Sequence, residues 1–259
     1  MAATLFSNLI LANSDGGLIF AFEQSTLPGK VVLGALFFGS VFSWSVMLSK
    51  LLTLRVARKQ RELFLDLFRQ DRQPLRLYAE GLTFEGAPVF TVYEAGCREL
   101  SYQLLGASEL DETFGARLET AGKITPSQMR VVAVALERAV GESSLKLESQ
   151  MIILATAVSG APFVGLLGTV WGVMETFADV AKAGSASLAA MAPGVSAALI
   201  TTVTGLLVAI PAMFGYNYLV TSVRGMIVEL DNFAAELTSA FEHRYVEHRP
   251  DGNSGARGH

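Results

Sequence analysis

Four threonines set in uncharged, apolar sequence carry the chemistry this chain has to offer. Thr169 stands in GTVWG (168–172), and Thr201, Thr202 and Thr204 fall within one helical turn of ALITTVTG (198–205). A hydroxyl donates and accepts at once, so hydroxyls that face one another in an apolar interior can hold water or relay a proton. The competing reading is purely structural, because a threonine in a membrane helix commonly returns its hydrogen bond to the carbonyl four residues back. The residue pattern leaves both open. Around these hydroxyls the small residues are spaced for close helix packing. Gly194, Ala198, Thr202, Gly205 and Ala209 follow one another at helical steps, and Gly168 and Gly172 flank Thr169. Such stripes let helix backbones approach in lipid.

Other chemistries find little support. No apolar stretch contains a Ser/His pair, paired aspartates or an HExxH, so an intramembrane hydrolase lacks its residues and no enzyme activity is expected. Cys97 is the only cysteine, which rules out an intrachain disulfide and any CxxC site and leaves a small buried thiol. His243 and His248 are five apart with no further ligands, so no metal and no cofactor is expected. The formal charge of −4 and the lack of a basic, aromatic-interleaved stripe argue against a nucleic-acid partner. Trp44 and Trp171 read as interfacial anchors or packing residues.

The elements that must position the threonines are read from the charge gaps. With 51% hydrophobic residues and only 17% charged ones, the 259-residue chain is that of a multi-span, all-α membrane protein. The uncharged run between Lys30 and Lys50 predicts a first span over 28–50. The second is expected over 149–175, and the third over 193–220, beginning near Pro193 as a favoured first-turn residue. Residues 176–192 then form a connection in which Glu175, Asp179 and Lys182 are solvated, with Asp179 and Lys182 placed to pair. Glu175 has a lesser reading as a cation-attracting pore mouth.

The 51–148 segment, with fourteen acidic and thirteen basic residues, is expected to be helical and close to neutral. Its first helix ends near Pro74, and Pro88, Gly106 and Gly122 punctuate the rest. Met129, Val132, Leu136, Val140 and Leu147 mark one face of a helix from Pro126 that has no breaker before Ser159–Gly160, so it is expected to run straight into span two. Ile227, Leu230, Ala234, Leu237 and Phe241 mark a second such extension over 221–247. Residues 1–27 carry no Lys or Arg, so they lack the basic start of a signal peptide and read as a short retained segment; 248–259 reads as a disordered tail. Lys50, Arg55, Arg58, Lys59 and Arg61 follow span one, which places 51–148 and the C-terminus in the cytoplasm and the N-terminus outside.

The text APFVGLLGTVWGVM (161–174) followed by APGVSAALITTVTGLLVAIPAMFGYN (192–217) resembles the signature region of the MotA/TolQ/ExbB proton channel family, in its TolQ/ExbB branch. FSWSVMLSK (42–50) is a weaker echo. The resemblance implies a subunit of the bacterial inner membrane with three spans. It also implies a homo-oligomeric ring, a pentamer, around a TolR/ExbD-type single-span partner, with a TolA/TonB-type protein as a further partner. Energy from the proton gradient would pass to the outer membrane for transport or envelope maintenance. Thr169 and Thr202 match the pore-lining threonines of the family, Pro193 and Pro211 the prolines that shape the third helix, and Asn217 its polar end. One position departs: where relatives often carry a glutamate in GIAEAL, this chain has GVSAAL, with Ala197 at that place and Ser196 beside it. A buried carboxylate relay on this helix is thereby lost, which leaves a non-conducting scaffold around a single-span partner as the alternative function.

Overall fold

The computed structural model describes residues 25–70, 73–106, 114–184 and 187–247. The expectations for 1–24, for the 248–259 tail and for His248 lie outside them. Among the described residues the chain is all helix, in the order α1 (Leu27–Gln70), α2 (Arg76–Ala79), α3 (Pro88–Leu105), α4 (Phe114–Thr120), α5 (Pro126–Glu148), α6 (Met151–Ala183) and α7 (Leu188–Tyr245). Three helical stretches, Leu27–Gln70, Pro126–Ala183 and Leu188–Tyr245, are long and apolar enough to cross a membrane.

The chain forms two compact units. The first comprises residues up to Lys50 together with Gln150–Leu219. It is apolar on almost every face: Phe37, Phe38, Phe163, Leu166, Val170, Phe177 and Phe214 all lie exposed, as side chains that meet lipid would. Its interior is correspondingly made of small residues, with Leu36, Ala161 and Ala209 forming a buried cluster under Val32, Val164 and Val208.

The second unit, Leu51–Ser149 with the residues from Val220 onward, has an ordinary aromatic and aliphatic core. Phe64 is fully buried at its centre, with the rings of Phe68, Phe84, Phe90, Tyr93 and Phe233 at centroid distances of 5.2–5.8 Å. Met129, Val132, Leu136, Val140 and Leu147 of α5 are all buried, as their spacing predicts, and so are Leu230, Ala234, Leu237 and Phe241 of α7. Ile227 is only half-buried, and Met226 takes the core position in its place. Gly96 of α3 admits the Leu136 side chain at a place where any Cβ would collide with it. The Tyr93 hydroxyl donates to the Pro74 carbonyl at 2.7 Å and accepts from the Tyr78 amide at 3.0 Å, fastening the 74–78 turn to α3. Burial pushes the Tyr93 hydroxyl and the Cys97 thiol well above their ordinary ionisation values; the nearby Cys97 adds to the Tyr93 shift, and hydrogen bonding with Tyr93 partly opposes that of Cys97. Arg61 pairs with Glu229, and Arg69 with Glu236 at 3.5 Å, on the outside of this unit.

The helix ends differ from expectation in three places. The helix from Pro126 does not continue unbroken to Ser159–Gly160. Ser149 leaves the helical region and Gln150 has φ 66°, a left-handed turn between α5 and α6. The end of α5 satisfies itself locally, the Ser149 amide and hydroxyl bonding back to Leu145 O and Lys146 O. Second, α7 begins at Leu188, five residues before Pro193, because Ser187 caps it: the Ala190 amide donates to Ser187 Oγ at 3.2 Å. Pro193 and Pro211 therefore lie inside α7, each removing one intrahelical donor. Third, α6 runs on to Ala183 and ends on Gly184 in the left-handed conformation, so Glu175 and Asp179 are helical residues.

Candidate functional site

The site lies in the first unit, where α6 and α7 pack antiparallel through their smallest residues. A methyl group on Gly205 would stand 2.6 Å from the Ala161 carbonyl oxygen, and one on Gly165 would stand 2.7 Å from that of Thr201. Further along, Gly168 faces the Thr201 side chain and Val32 of α1, Gly172 faces Ala198, and Gly194 receives the side chain of Thr176. Bare backbone on one helix thus meets backbone or a small side chain on the other along four turns. This brings together the small residues Gly168, Gly172, Gly194, Ala198 and Gly205.

In the middle of this contact the threonines of the two helices meet. Thr169 Oγ1 is 2.5 Å from Thr202 Oγ1 and 3.1 Å from Thr201 Oγ1. Two carbonyls close the cluster. Gly165 O accepts from Thr169 at 3.2 Å and from Thr201 at 2.9 Å; Ala198 O accepts from the same two hydroxyls at 3.0 and 2.7 Å. Three hydroxyl protons therefore serve more acceptor positions than they can fill at once, so the protons have several arrangements of similar geometry. A hydrogen-bonded chain able to reverse its direction in this way can pass a proton along, although none of its members ionises near neutral pH. The bond to the carbonyl four residues back is made by Thr169 itself, to Gly165 O, as well as by Thr204, which donates to Ile200 O at 2.8 Å.

Thr201 is the member that sequence spacing passes over. It is 1% exposed, whereas its neighbour Thr202 is half-buried at the margin of the contact. The buried stripe of α7 runs through Ala197, Ala198, Thr201, Gly205 and Ala209. A signal was present: Thr201 lies three residues after Ala198 and four before Gly205, as good a helical step as Thr202 offers. Ala197 is 3% exposed, an aliphatic position inside the helix packing. Asp179 and Lys182 pair at 3.2 Å on the exposed face of α6. Glu175 is half-buried; its Oε2 is closed off and has no hydrogen-bond partner among the described residues.

Residues 106–232, which contain α5, α6 and the whole hydroxyl cluster, match the MotA/TolQ/ExbB proton channel family. The Tol-Pal system protein TolQ of Haemophilus influenzae is 31% identical over 84% of this chain and 90% of its own length. TolQ of Pseudomonas aeruginosa is 32% identical over 88% and 94%. The chain belongs to the MotA/TolQ/ExbB family. The biopolymer transport protein ExbB of Xanthomonas campestris pv. campestris is more alike but over less, 45% identical across 44% of this chain and 46% of that protein. Membership, together with three helices of spanning length, makes this a multi-pass membrane protein of a family of transport-associated proton channels.

Proposed function

We propose that this protein is the inner-membrane subunit of a TolQ/ExbB-type motor driven by the proton-motive force. It assembles as a homo-oligomeric ring, N-terminus periplasmic and C-terminus cytoplasmic, around a TolR/ExbD-type single-span partner, and transmits work toward the outer membrane through a TolA/TonB-type protein. The observation that carries this reading is the three-threonine cluster between α6 and α7, with Thr169 Oγ1 2.5 Å from Thr202 Oγ1 inside an apolar unit. Hydroxyls at that separation hand a proton on, and Thr169 and Thr202, at the less buried edge of the cluster, are the members that line the path. The glycines at 168, 172, 194 and 205 hold the helices close enough for the cluster to form, while Pro193 and Pro211 shape α7.

The alternative, a non-conducting scaffold that organises a single-span partner, draws its support from Ala197, a buried methyl where the resemblance places an acid. Proton uptake separates the two. The chain is reconstituted with its partner in liposomes under a pH gradient, beside a variant with Thr169 and Thr202 both replaced by alanine. The motor reading expects uptake that the double variant loses; no uptake above that of the double variant leaves the scaffold.

A further inference from the structure

In the second unit α1 and α5 each carry two apolar faces, and the fold buries one of them. On α1, Leu54, Ala57, Phe64 and Phe68 are buried, while Leu52, Val56, Leu63 and Leu67 stand 43–59% exposed on another side of the helix. On α5, Val132, Leu136, Val140 and Leu147 are buried, while Val131, Val134 and Leu145 stand 47–71% exposed on the side opposite. A methyl group on Gly141, between these last residues, would meet nothing within 4 Å among the described residues. Exposed apolar stripes of this size mark contact surfaces. Lipid is a poor cover for them, because exposed charges accompany both: Lys59 and Glu62 on α1, Arg138 and Glu142 on α5.

The order of these residues along the two helices is complementary. The chain passes between the units at Leu51, Ser149 and Val220, so distance from those residues, at about 1.5 Å per residue, gives a ruler along α1, α5 and α7. Bonds within the unit agree with it. Arg61, about 15 Å along α1, pairs with Glu229, about 14 Å along α7. Ile124, just ahead of α5, donates its amide to Tyr245 O at the end of α7, and each lies about 38 Å along its ruler. On the same scale Val56 and Leu145 stand at about 8 and 6 Å, Lys59 and Glu142 at about 12 and 11 Å, Glu62 and Arg138 both at about 17 Å, and Leu67 and Val134 at about 24 and 23 Å. Laid side by side in their antiparallel directions, the helices bring apolar residues to apolar residues and each of these charges to its opposite. We propose that the exposed face of α1 in one copy of this chain docks on the exposed face of α5 in the next, with Lys59 against Glu142 and Glu62 against Arg138. This rests on the homo-oligomeric reading above and adds the surface by which the copies meet. Two unlike faces make a head-to-tail contact, which closes into a ring when repeated about one axis. A membrane holds every copy at one height, so such a contact joins residues at equal levels, and these two stripes meet that condition.

Two full-length copies with different affinity tags are co-expressed, one with Lys59→Cys and the other with Glu142→Cys, and the membranes are treated with a short bis-maleimide. The native Cys97 is fully buried and stays out of the reaction. The expected product is a dimer that carries both tags. Lys59→Cys beside Arg130→Cys, whose levels differ by about 16 Å, should give none. Without cross-linking, Lys59→Glu should weaken association about tenfold or more by setting two acids face to face, and Glu142→Lys in the same chain should restore it. Native mass spectrometry of the unsubstituted protein distinguishes the two ways of failing. An oligomer that gives no mixed-tag dimer, or as much of it with Arg130→Cys, overturns the proposed surface and leaves the ring reading in place. A monomer overturns both. Charge reversal at Lys59 that Glu142→Lys does not rescue also counts against the surface.

Discussion

Gly160 and Gly165 stand five residues apart on the same apolar helix and differ in what a methyl group would meet. At Gly160 nothing lies within 4 Å, whereas at Gly165 a Cβ would be 2.7 Å from Thr201 O, 3.1 Å from Thr202 Cα and 3.3 Å from Gly205 Cα. These are backbone atoms and cannot swing aside, so Gly165→Ala forces α6 and α7 apart. The helix-propensity gain of about 1 kcal/mol for glycine to alanine is common to both substitutions and cancels between them. What remains is an overpacking cost of about 1–3 kcal/mol. To it is added the stretching of the Thr201 bond to Gly165 O and of the Thr169–Thr202 contact, at about 0.6 kcal/mol for each interhelical bond. Gly165→Ala should therefore be less stable than Gly160→Ala by about 2–4 kcal/mol, a factor of roughly 30 or more in the folding equilibrium. Reversible unfolding of the two variants in mixed detergent micelles, followed by circular dichroism, measures the difference. If they agree within about 0.5 kcal/mol, less than the cost of one such bond, the close-approach reasoning is refuted.

Thr201→Val keeps the shape of a side chain that is 1% exposed but removes bonds to two carbonyls, so it should lower stability by about 1–2 kcal/mol. Thr202→Val should leave folding and assembly intact and lower energy transduction; an equal loss of assembly would show Thr202 to be structural. Tyr93→Phe leaves Pro74 O and the Tyr78 amide without their partner and should cost the second unit about 1–3 kcal/mol, seen in thermal unfolding and as faster hydrogen exchange at the Tyr78 amide. Alkaline pH should destabilise the same unit. Burial holds the protons of Cys97 and Tyr93 in the folded state, while the unfolded chain releases them, the thiol from near pH 9. Stability is thus flat below that pH and falls above it, by at most about 1.4 kcal/mol per pH unit for each group. Denaturant titrations at stepped pH check this, and Cys97→Ala should remove the first part of the fall.

The two units were legible in the sequence to different degrees, for a physical reason. In α5 and the end of α7 one face is apolar and the other charged, so hydropathy has a phase and identifies the buried residues, from Met129 to Phe241. In α6 and the first part of α7 every face is apolar, since the outside meets lipid, and hydropathy has no phase to give. The phase lies instead in side-chain size, where threonine is ambiguous because it reads both as small and as polar. That ambiguity is how Thr202 takes the place of Thr201 in the spacing, a shift of one residue that moves the stripe from the centre of the contact to its edge. Helix ends follow the same logic. The glycine stop at Gly184 is visible, but the turn at Ser149–Gln150 contains neither glycine nor proline. The Ser187 cap competes with a more conspicuous proline at Pro193.

Charge gaps mislead in one further respect, and it bears on mechanism. A charged residue marks where a lipid-facing run stops, but the helix does not stop with it: α6 carries Glu175 two turns before its own end. A cluster of three hydroxyls can orient and hand on a proton but cannot store one, because storage needs a group that ionises within reach of physiological pH. With alanine at position 197, α7 has no such group between Leu188 and Leu219. A motor built on these helices must therefore hold its proton on a group outside the hydroxyl cluster.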